Sequence, residues 1–102
     1  QQTLGKITLN NHQAEKVEVI ETGIQADDFI INKQGDWFLT THHHEIIKFT
    51  AEKQKLVVLE HGIEGNTAIQ MSKQDKGYFY ITNDGGLLFG GKGNAGLHKV
   101  KL

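Results

Sequence analysis

Two long stretches of this sequence match each other: KVEVIETGIQADDFIIN (16–32) and KLVVLEHGIEGNTAIQM (55–71), at an offset of 39 residues. A second pair, DWFLTTH (36–42) and GYFYITN (77–83), follows in the same order at an offset of 41. Repeats of about 40 residues are typical of β-propellers, in which each blade contains four antiparallel strands. The sequence therefore predicts a repetitive all-β structure.

The apolar runs of the chain favour strands over helices. They are short, rich in β-branched and aromatic residues, and several alternate with polar residues, as in Val17-Glu18-Val19. None keeps a helical period over the roughly 11 residues of an average helix. Nine strands are predicted, at 5–9, 16–21, 28–32, 36–41, 45–49, 55–60, 67–72, 78–82 and 97–102.

The repeat divides these strands into blade units within a single partial β-propeller over residues 1–102. With strands labelled A to D from the axis outward, we expect strands C and D of a preceding blade at 1–22. A complete blade follows at 23–61, and strands A to C of a last blade at 62–102. The predicted fold is thus about two antiparallel four-stranded blades.

Composition excludes several classes of function. The net charge is −1 and the basic residues include no Arg, so no nucleic-acid partner is expected. The absence of cysteine excludes disulfides, thiolate metal sites and cysteine nucleophiles. The short apolar runs predict no membrane span and no signal peptide. A first residue of Gln rather than Met leads us to expect a processed or excised chain.

Three segments resemble the regucalcin/gluconolactonase family of six-bladed β-propellers. GIQADDFIINKQGDWFLTT (23–41) is similar to the family's pattern of an Asp at the start of a blade followed by a Gly-x-hydrophobic-aromatic strand. GNTAIQMSKQDKGYFYITNDGG (65–86) is similar to its penultimate strand pair, and GLHKVKL (96–102) to its terminal strand. Together they resemble the C-terminal third of such a protein.

This resemblance implies hydrolysis of sugar lactones or related esters, with a divalent cation, commonly calcium, at the top of the central channel. In the family a Glu, an Asn and an Asp hold the ion, and only the Asp segment is matched here. Asp27 is the expected catalytic and metal-binding residue, and Asp28 is the alternative ligand, since Ala26-Asp27-Asp28 replaces the family's Pro-Asp-Gly. Without the other ligand segments, we expect the cation and the activity only in a complete propeller.

The three consecutive histidines 42–44 form the predicted turn between strands B and C. In an up-and-down blade this turn shares an edge with the connection that carries Asp27, with His61 and with the loop 83–96. We expect His42, His44 and His61 to rim a substrate site at this edge. A solvated turn without a specific role and a His-x-His transition-metal pair of His42 and His44 are the alternatives.

Two classes of function remain open, and with them whether the chain is part of an enzyme. The first is a portion of a lactonase-like propeller that binds a small lactone or ester. The second is a non-catalytic propeller module that binds a protein or a glycan. In either case the uncovered strands of a blade pair predict self-association or packing against the remainder of a longer propeller.

Overall fold

The computed structural model describes residues 3–22, 26–86 and 95–102, and in these ranges strand is the only regular secondary structure. No helix among the described residues is long and apolar enough to cross a membrane. The strands are β1 (Thr3–Asn10), β2 (Gln13–Thr22), β3 (Asp28–Ile31), β4 (Trp37–Thr40), β5 (Ile46–Phe49), β6 (Lys55–Leu59), β7 (Asn66–Met71), β8 (Tyr78–Asn83) and β9 (Gly96–Lys101).

All strand pairs are antiparallel, and they form a two-stranded hairpin β1-β2, a four-stranded sheet β3-β4-β5-β6 and a three-stranded sheet β7-β8-β9. The predicted all-β class is therefore confirmed. The turn of the hairpin is formed by Asn11 and His12, whose φ angles of 52° and 67° lie in the left-handed region. A two-residue connection with positive φ at both positions matches the right-handed twist of the strands that it joins.

The main hydrophobic core lies between the four-stranded and three-stranded sheets, and we call it the interlayer core. The rings of Phe38 and Phe79 meet there, with 4.6 Å between their centroids. Burial of one such side chain stabilises a fold by about 1.5–3 kcal/mol, so the set holds the two sheets together as one unit. Its buried members are Phe38, Ile46, Ile63, Ile69, Phe79 and Ile81.

The opposite face of the four-stranded sheet is covered by the hairpin over β4 and β5, but not over β3. Leu4 of the hairpin packs there in a second cluster with Leu39, Ile47 and Phe49. On β3, by contrast, the side chains of Phe29 and Ile31 remain 47% and 46% exposed. The hairpin therefore leaves the first strand of the sheet open on this side.

Backbone hydrogen bonds show which face the four-stranded sheet turns toward its neighbour. The N–H of Asn32 donates to the carbonyl of Asp36 at 3.0 Å. Hydrogen-bonded pairs alternate along an antiparallel ladder, so Ile30 and Phe38, paired two residues away, are also hydrogen-bonded. Phe38 points into the interlayer core. The hydrogen-bonded residues of this strand pair therefore face the three-stranded sheet.

The three-stranded sheet turns the opposite face toward the interlayer core, because its hydrogen-bonded residues point away from that core. Ser72 donates its backbone N–H to the carbonyl of Tyr78 at 2.9 Å, which makes Gln70 and Tyr80 a hydrogen-bonded pair. Both of these side chains are exposed, on the side away from the interlayer core. The chirality of L-residues puts the hydrogen-bonded pairs of a hairpin on one fixed face of the sheet. That face points toward the interlayer core in the four-stranded sheet and away from it in the three-stranded sheet. The two sheets therefore stack front to back.

In this stacking, residues that the repeat matches lie on opposite faces of the two sheets. Phe38 and Phe79, which correspond at the offset of 41 residues, contact each other instead of lying on equivalent faces. β7 contains a bulge or irregularity between Asn66 and Ile69. Since side chains alternate between faces, a shift of one residue exchanges the buried and exposed sides of a strand.

An ion pair that joins the hairpin to the four-stranded sheet makes a testable prediction. Lys53 Nζ lies 2.6 Å from Glu18 Oε2, and this hydrogen bond, with a smaller contribution from Lys16, lowers the pKa of Glu18. A depressed carboxyl pKa stabilises the folded state at neutral pH, and the effect is lost as the pH falls through the folded pKa. Lys53→Met should raise the Glu18 pKa toward its ordinary value in an NMR titration, whereas Lys55→Met should not. An unchanged Glu18 midpoint in Lys53→Met would contradict this docking of the hairpin.

Candidate functional site

The turn between β4 and β5 carries the three histidines and lies at the edge where β3 and β7 begin. His42 Nδ1 lies 3.9 Å from Asp27 Oδ2, and the rings of His44 and His61 stack with 4.6 Å between centroids. The residues expected to share this edge are therefore brought together, in two groups. We call the first group, with Asp84, the Asp27–His42–Asp84 cluster.

His42 lies between two carboxylates in this cluster. Its Nε2 is 2.7 Å from Asp84 Oδ2, whereas its Nδ1 faces Asp27 at the longer distance. The backbone of His42 has a φ of 64°, a left-handed conformation that residues other than glycine rarely adopt. The imidazole is mostly buried, with 19% of its side chain exposed, whereas 42% of the Asp27 side chain is exposed.

Asp84 is held in place by its own turn and by a glycine opposite. Its Oδ1 accepts the backbone N–H of Gly86 at 2.7 Å, and its backbone N–H donates to the carbonyl of Gly65 at 3.0 Å. Gly65 has a φ of 68°, and a Cβ there would overlap the Asp84 carboxylate. Only glycine at position 65 therefore allows the Asp84 side chain to reach His42.

Asn66 ties the histidine turn to the first residue of β7. Its side chain is fully buried at 0% exposure. Oδ1 accepts the backbone N–H groups of Thr41 and His42 at 2.7 Å and 3.3 Å. Nδ2 donates, at 3.1 Å each, to the backbone carbonyls of His43, Glu45 and Ile63. One carboxamide thus binds four backbone polar groups of a partly buried turn that has no regular ladder of its own.

Asp28 has a different environment from Asp27. Its Oδ1 accepts the N–H of Phe29 at 2.9 Å, and its Oδ2 accepts the N–H of Ile69 in the neighbouring sheet at 3.0 Å. Both oxygens therefore bind backbone amides, and the second bond joins the two sheets. Of the two candidate aspartates, Asp27 is the one that points into the cluster with His42.

His44 and His61 form the second group on this edge. His44 Nδ1 lies 2.7 Å from the carbonyl oxygen of Glu60, while His61 is 72% exposed and has Glu64 Oε1 at 3.8 Å from its Nδ1. The stacked pair lies on the same edge, but no contact among the described residues joins it to Asp27. The predicted rim therefore consists of one histidine beside the aspartate and two apart from it.

The described residues offer few ligands for the expected divalent cation. In the ranges 3–22, 26–86 and 95–102, no three His, Asp or Glu side chains are arranged to hold a metal ion. Calcium takes about six to eight oxygen ligands, and the group that faces Asp27 is an imidazole nitrogen. The exposed carboxylate of Asp27 suits a divalent cation in general, but the pairing with His42 fits calcium poorly.

No family model, curated protein or solved structure matches this chain. A function for the chain is therefore argued from the geometry of this edge.

Sequence reasoning missed the three residues that build the cluster around His42, namely Gly65, Asn66 and Asp84. One sequence feature could have identified Asn66: it aligns with Asp27 when the repeats are matched at an offset of 39. Asp84 lies in the loop 83–96 that was assigned to this edge, of which residues 87–94 are outside the described ranges. Its contact with His42 depends on the close approach of two turns, which spacing alone does not specify.

Removal of the Asn66 carboxamide should be costly. Asn66→Ala removes the acceptor of the buried Thr41 N–H and of the partly buried His42 N–H, and an unsatisfied buried group costs about 1–3 kcal/mol. We expect the free energy of unfolding to fall by at least about 2 kcal/mol in urea denaturation. Asn10→Ala, on the exposed hairpin, is the matched control and should change it by less than about 0.5 kcal/mol. Equal costs for the two variants would contradict the assigned role.

Proposed function

We propose that this chain contributes two blades, and one edge of the ligand site, to a six-bladed β-propeller hydrolase of lactones or related esters. The observation that carries the proposal is the exposed carboxylate of Asp27 beside His42, on the edge where the strands of successive sheets begin. In this proposal Asp27 binds a divalent cation, and His44 and His61 line the approach of the substrate.

The strand arrangement supports the propeller part of the proposal. Two, four and three strands follow one another along the chain, in the order of the units expected from the repeat. Front-to-back stacking is how propeller blades pack, because rotation about the central axis brings the same face of every blade forward. The uncovered side chains of Phe29 and Ile31 lie on the inner strand, where strands A and B of a preceding blade would pack.

The chemistry of the proposed reaction is the addition of water to a ring ester. The water oxygen bonds to the carbonyl carbon, the bond from that carbon to the ring oxygen breaks, and the released alkoxide takes a proton. A bound divalent cation would polarise the carbonyl. From this chain, Asp27 supplies a carboxylate to the site, and Asp84 fixes the orientation of the His42 ring beside it.

The proposed activity belongs to a completed ring rather than to one chain. The glutamate and asparagine ligands that the resemblance implies have no matching segment here, and one carboxylate does not fix an ion in a defined geometry. Large exposed apolar side chains on the hairpin, Ile7, Leu9, Val17 and Val19, favour association with further blades. These blades would come from other copies of the chain or from the remainder of a longer polypeptide.

The second candidate function is a non-catalytic propeller module that binds a protein or a glycan. It is favoured by the absence, among the described residues, of three side chains arranged to hold a metal ion. The two candidates predict different results in an activity assay.

Hydrolysis of gluconolactone in the presence of divalent cations tests the proposal, with monomeric and assembled fractions separated by size. We expect turnover only in the assembled fraction. Asp27→Ala should abolish it without lowering the free energy of unfolding. Asp28→Ala should lower that free energy by about 1–3 kcal/mol, because the Ile69 amide between the sheets loses its acceptor, and should impair turnover less.

Three results would contradict the proposal. Turnover by the monomer would remove the need for a completed ring. Loss of activity in Asp28→Ala with retention in Asp27→Ala would mean that Asp28, and not Asp27, is the ligand. Absence of turnover from every fraction would favour the binding module instead.

A further inference from the structure

We infer that the cation at this edge is held jointly by Asp27 Oδ2 and His42 Nδ1, so that the site selects a transition-type divalent cation such as Zn²⁺ over calcium. Asp84 is the positioning residue that makes the imidazole a ligand. The role of the cation in hydrolysis rests on the proposed function, whereas the site itself rests on the contacts of these three side chains.

The first step concerns the tautomer of His42. An ionised carboxylate only accepts hydrogen bonds, so the 2.7 Å contact with Asp84 Oδ2 places the proton on His42 Nε2. In the neutral ring the lone pair is then on Nδ1, the nitrogen that faces Asp27. A carboxylate that receives the second N–H of a histidine is the usual partner of metal-bound imidazole, because it fixes the tautomer and makes the ligand more basic.

The second step is the distance between the two candidate ligand atoms. Asp27 Oδ2 and His42 Nδ1 are 3.9 Å apart, which is too long for a hydrogen bond. Zinc binds imidazole nitrogen and carboxylate oxygen at about 2.0–2.2 Å in tetrahedral geometry, so two ligands of one ion lie about 3.3–3.6 Å apart. The observed separation exceeds this range by a few tenths of an ångström, a shift that the exposed Asp27 side chain can make on binding an ion.

The third step is that this geometry is fixed before any ion binds. Gly86 holds one oxygen of Asp84, and the missing Cβ of Gly65 leaves room for it. Asn66 accepts the backbone N–H of His42 and so helps to hold its left-handed conformation. Strain of this kind is maintained only where the surroundings enforce it. Asp27, in contrast, is open to solvent and to an ion.

Ligand chemistry decides the class of cation. Imidazole suits zinc, copper, iron and nickel, whereas calcium prefers a shell made only of oxygen. Among residues 3–22, 26–86 and 95–102 no third His, Asp or Glu side chain joins the pair, so a bound ion would need further ligands such as water. Two protein ligands with one orienting carboxylate predict modest affinity in the single chain.

Isothermal titration of the full chain with Zn²⁺ and Ca²⁺ tests the inference, together with the ¹⁵N spectrum of the histidine rings. The spectrum of the metal-free chain should show His42 protonated at Nε2. Zn²⁺ should bind more tightly than Ca²⁺ and shift the Nδ1 signal of His42. Asp84→Asn should weaken Zn²⁺ binding by about 10–100-fold, as loss of an orienting partner typically does. Asp27→Asn and His42→Gln should abolish it.

The matched control is the double variant His44→Gln/His61→Gln, which removes the stacked pair on the same edge and should leave Zn²⁺ affinity unchanged. Loss of binding in this control, with binding retained in Asp27→Asn, would mean adventitious binding to the histidine turn and would overturn the inference. Tighter binding of Ca²⁺ than of Zn²⁺, or no binding of either, would also overturn it. Asp27→Asn keeps the result decisive if His42→Gln unfolds, because the exposed Asp27 side chain supports no other described contact. Zinc binding at this site without lactone hydrolysis would reject the proposed function and leave the inference standing.

Discussion

The arrangement of this edge depends on one buried carboxamide. Asn66 lies at the start of β7 and binds five backbone groups, among them those of Thr41 and His42. A turn of three consecutive histidines has little apolar surface of its own, so hydrophobic burial does not hold it against the second sheet. A buried hydrogen bond adds only about 1 kcal/mol, but an unsatisfied group costs about 1–3 kcal/mol, and this asymmetry makes the side chain hard to replace.

The position of His42 in the Asp27–His42–Asp84 cluster follows from that connection. The turn is fixed to β7, so the His42 ring lies beside Asp84, which follows β8 in the same sheet. Asp28 adds a second connection by accepting the N–H of Ile69 across the sheets. Of two adjacent aspartates, one therefore serves the fold and the other extends toward His42. The same backbone bonds that join the sheets thus separate a structural carboxylate from a candidate ligand.

The sequence predicted all nine strands and the edge at which the histidine turn lies, because period-2 alternation and glycine-rich turns are local features. It did not predict which face of β8 is buried, since the offset of 41 residues aligned Phe38 with Phe79, which instead pack against each other. A bulge changes which face a side chain occupies without altering the local pattern. The contact of Asp84 with His42 escaped prediction for a related reason: it needs Gly65 to have no Cβ where two distant turns meet. The blade assignment, the cation and the hydrolase activity stay predictions.

The central claim is that Asn66 makes the histidine turn part of the same cooperative unit as the interlayer core. Native-state hydrogen exchange of single amides measures this directly. The amide of Thr41, which donates to Asn66 Oδ1 at 2.7 Å, lies outside the strands. We predict that its opening free energy equals that of core strand amides such as Ile81. Exchange of the Thr41 amide as fast as that of exposed turn residues such as Lys33, with Ile81 still protected, would contradict the account.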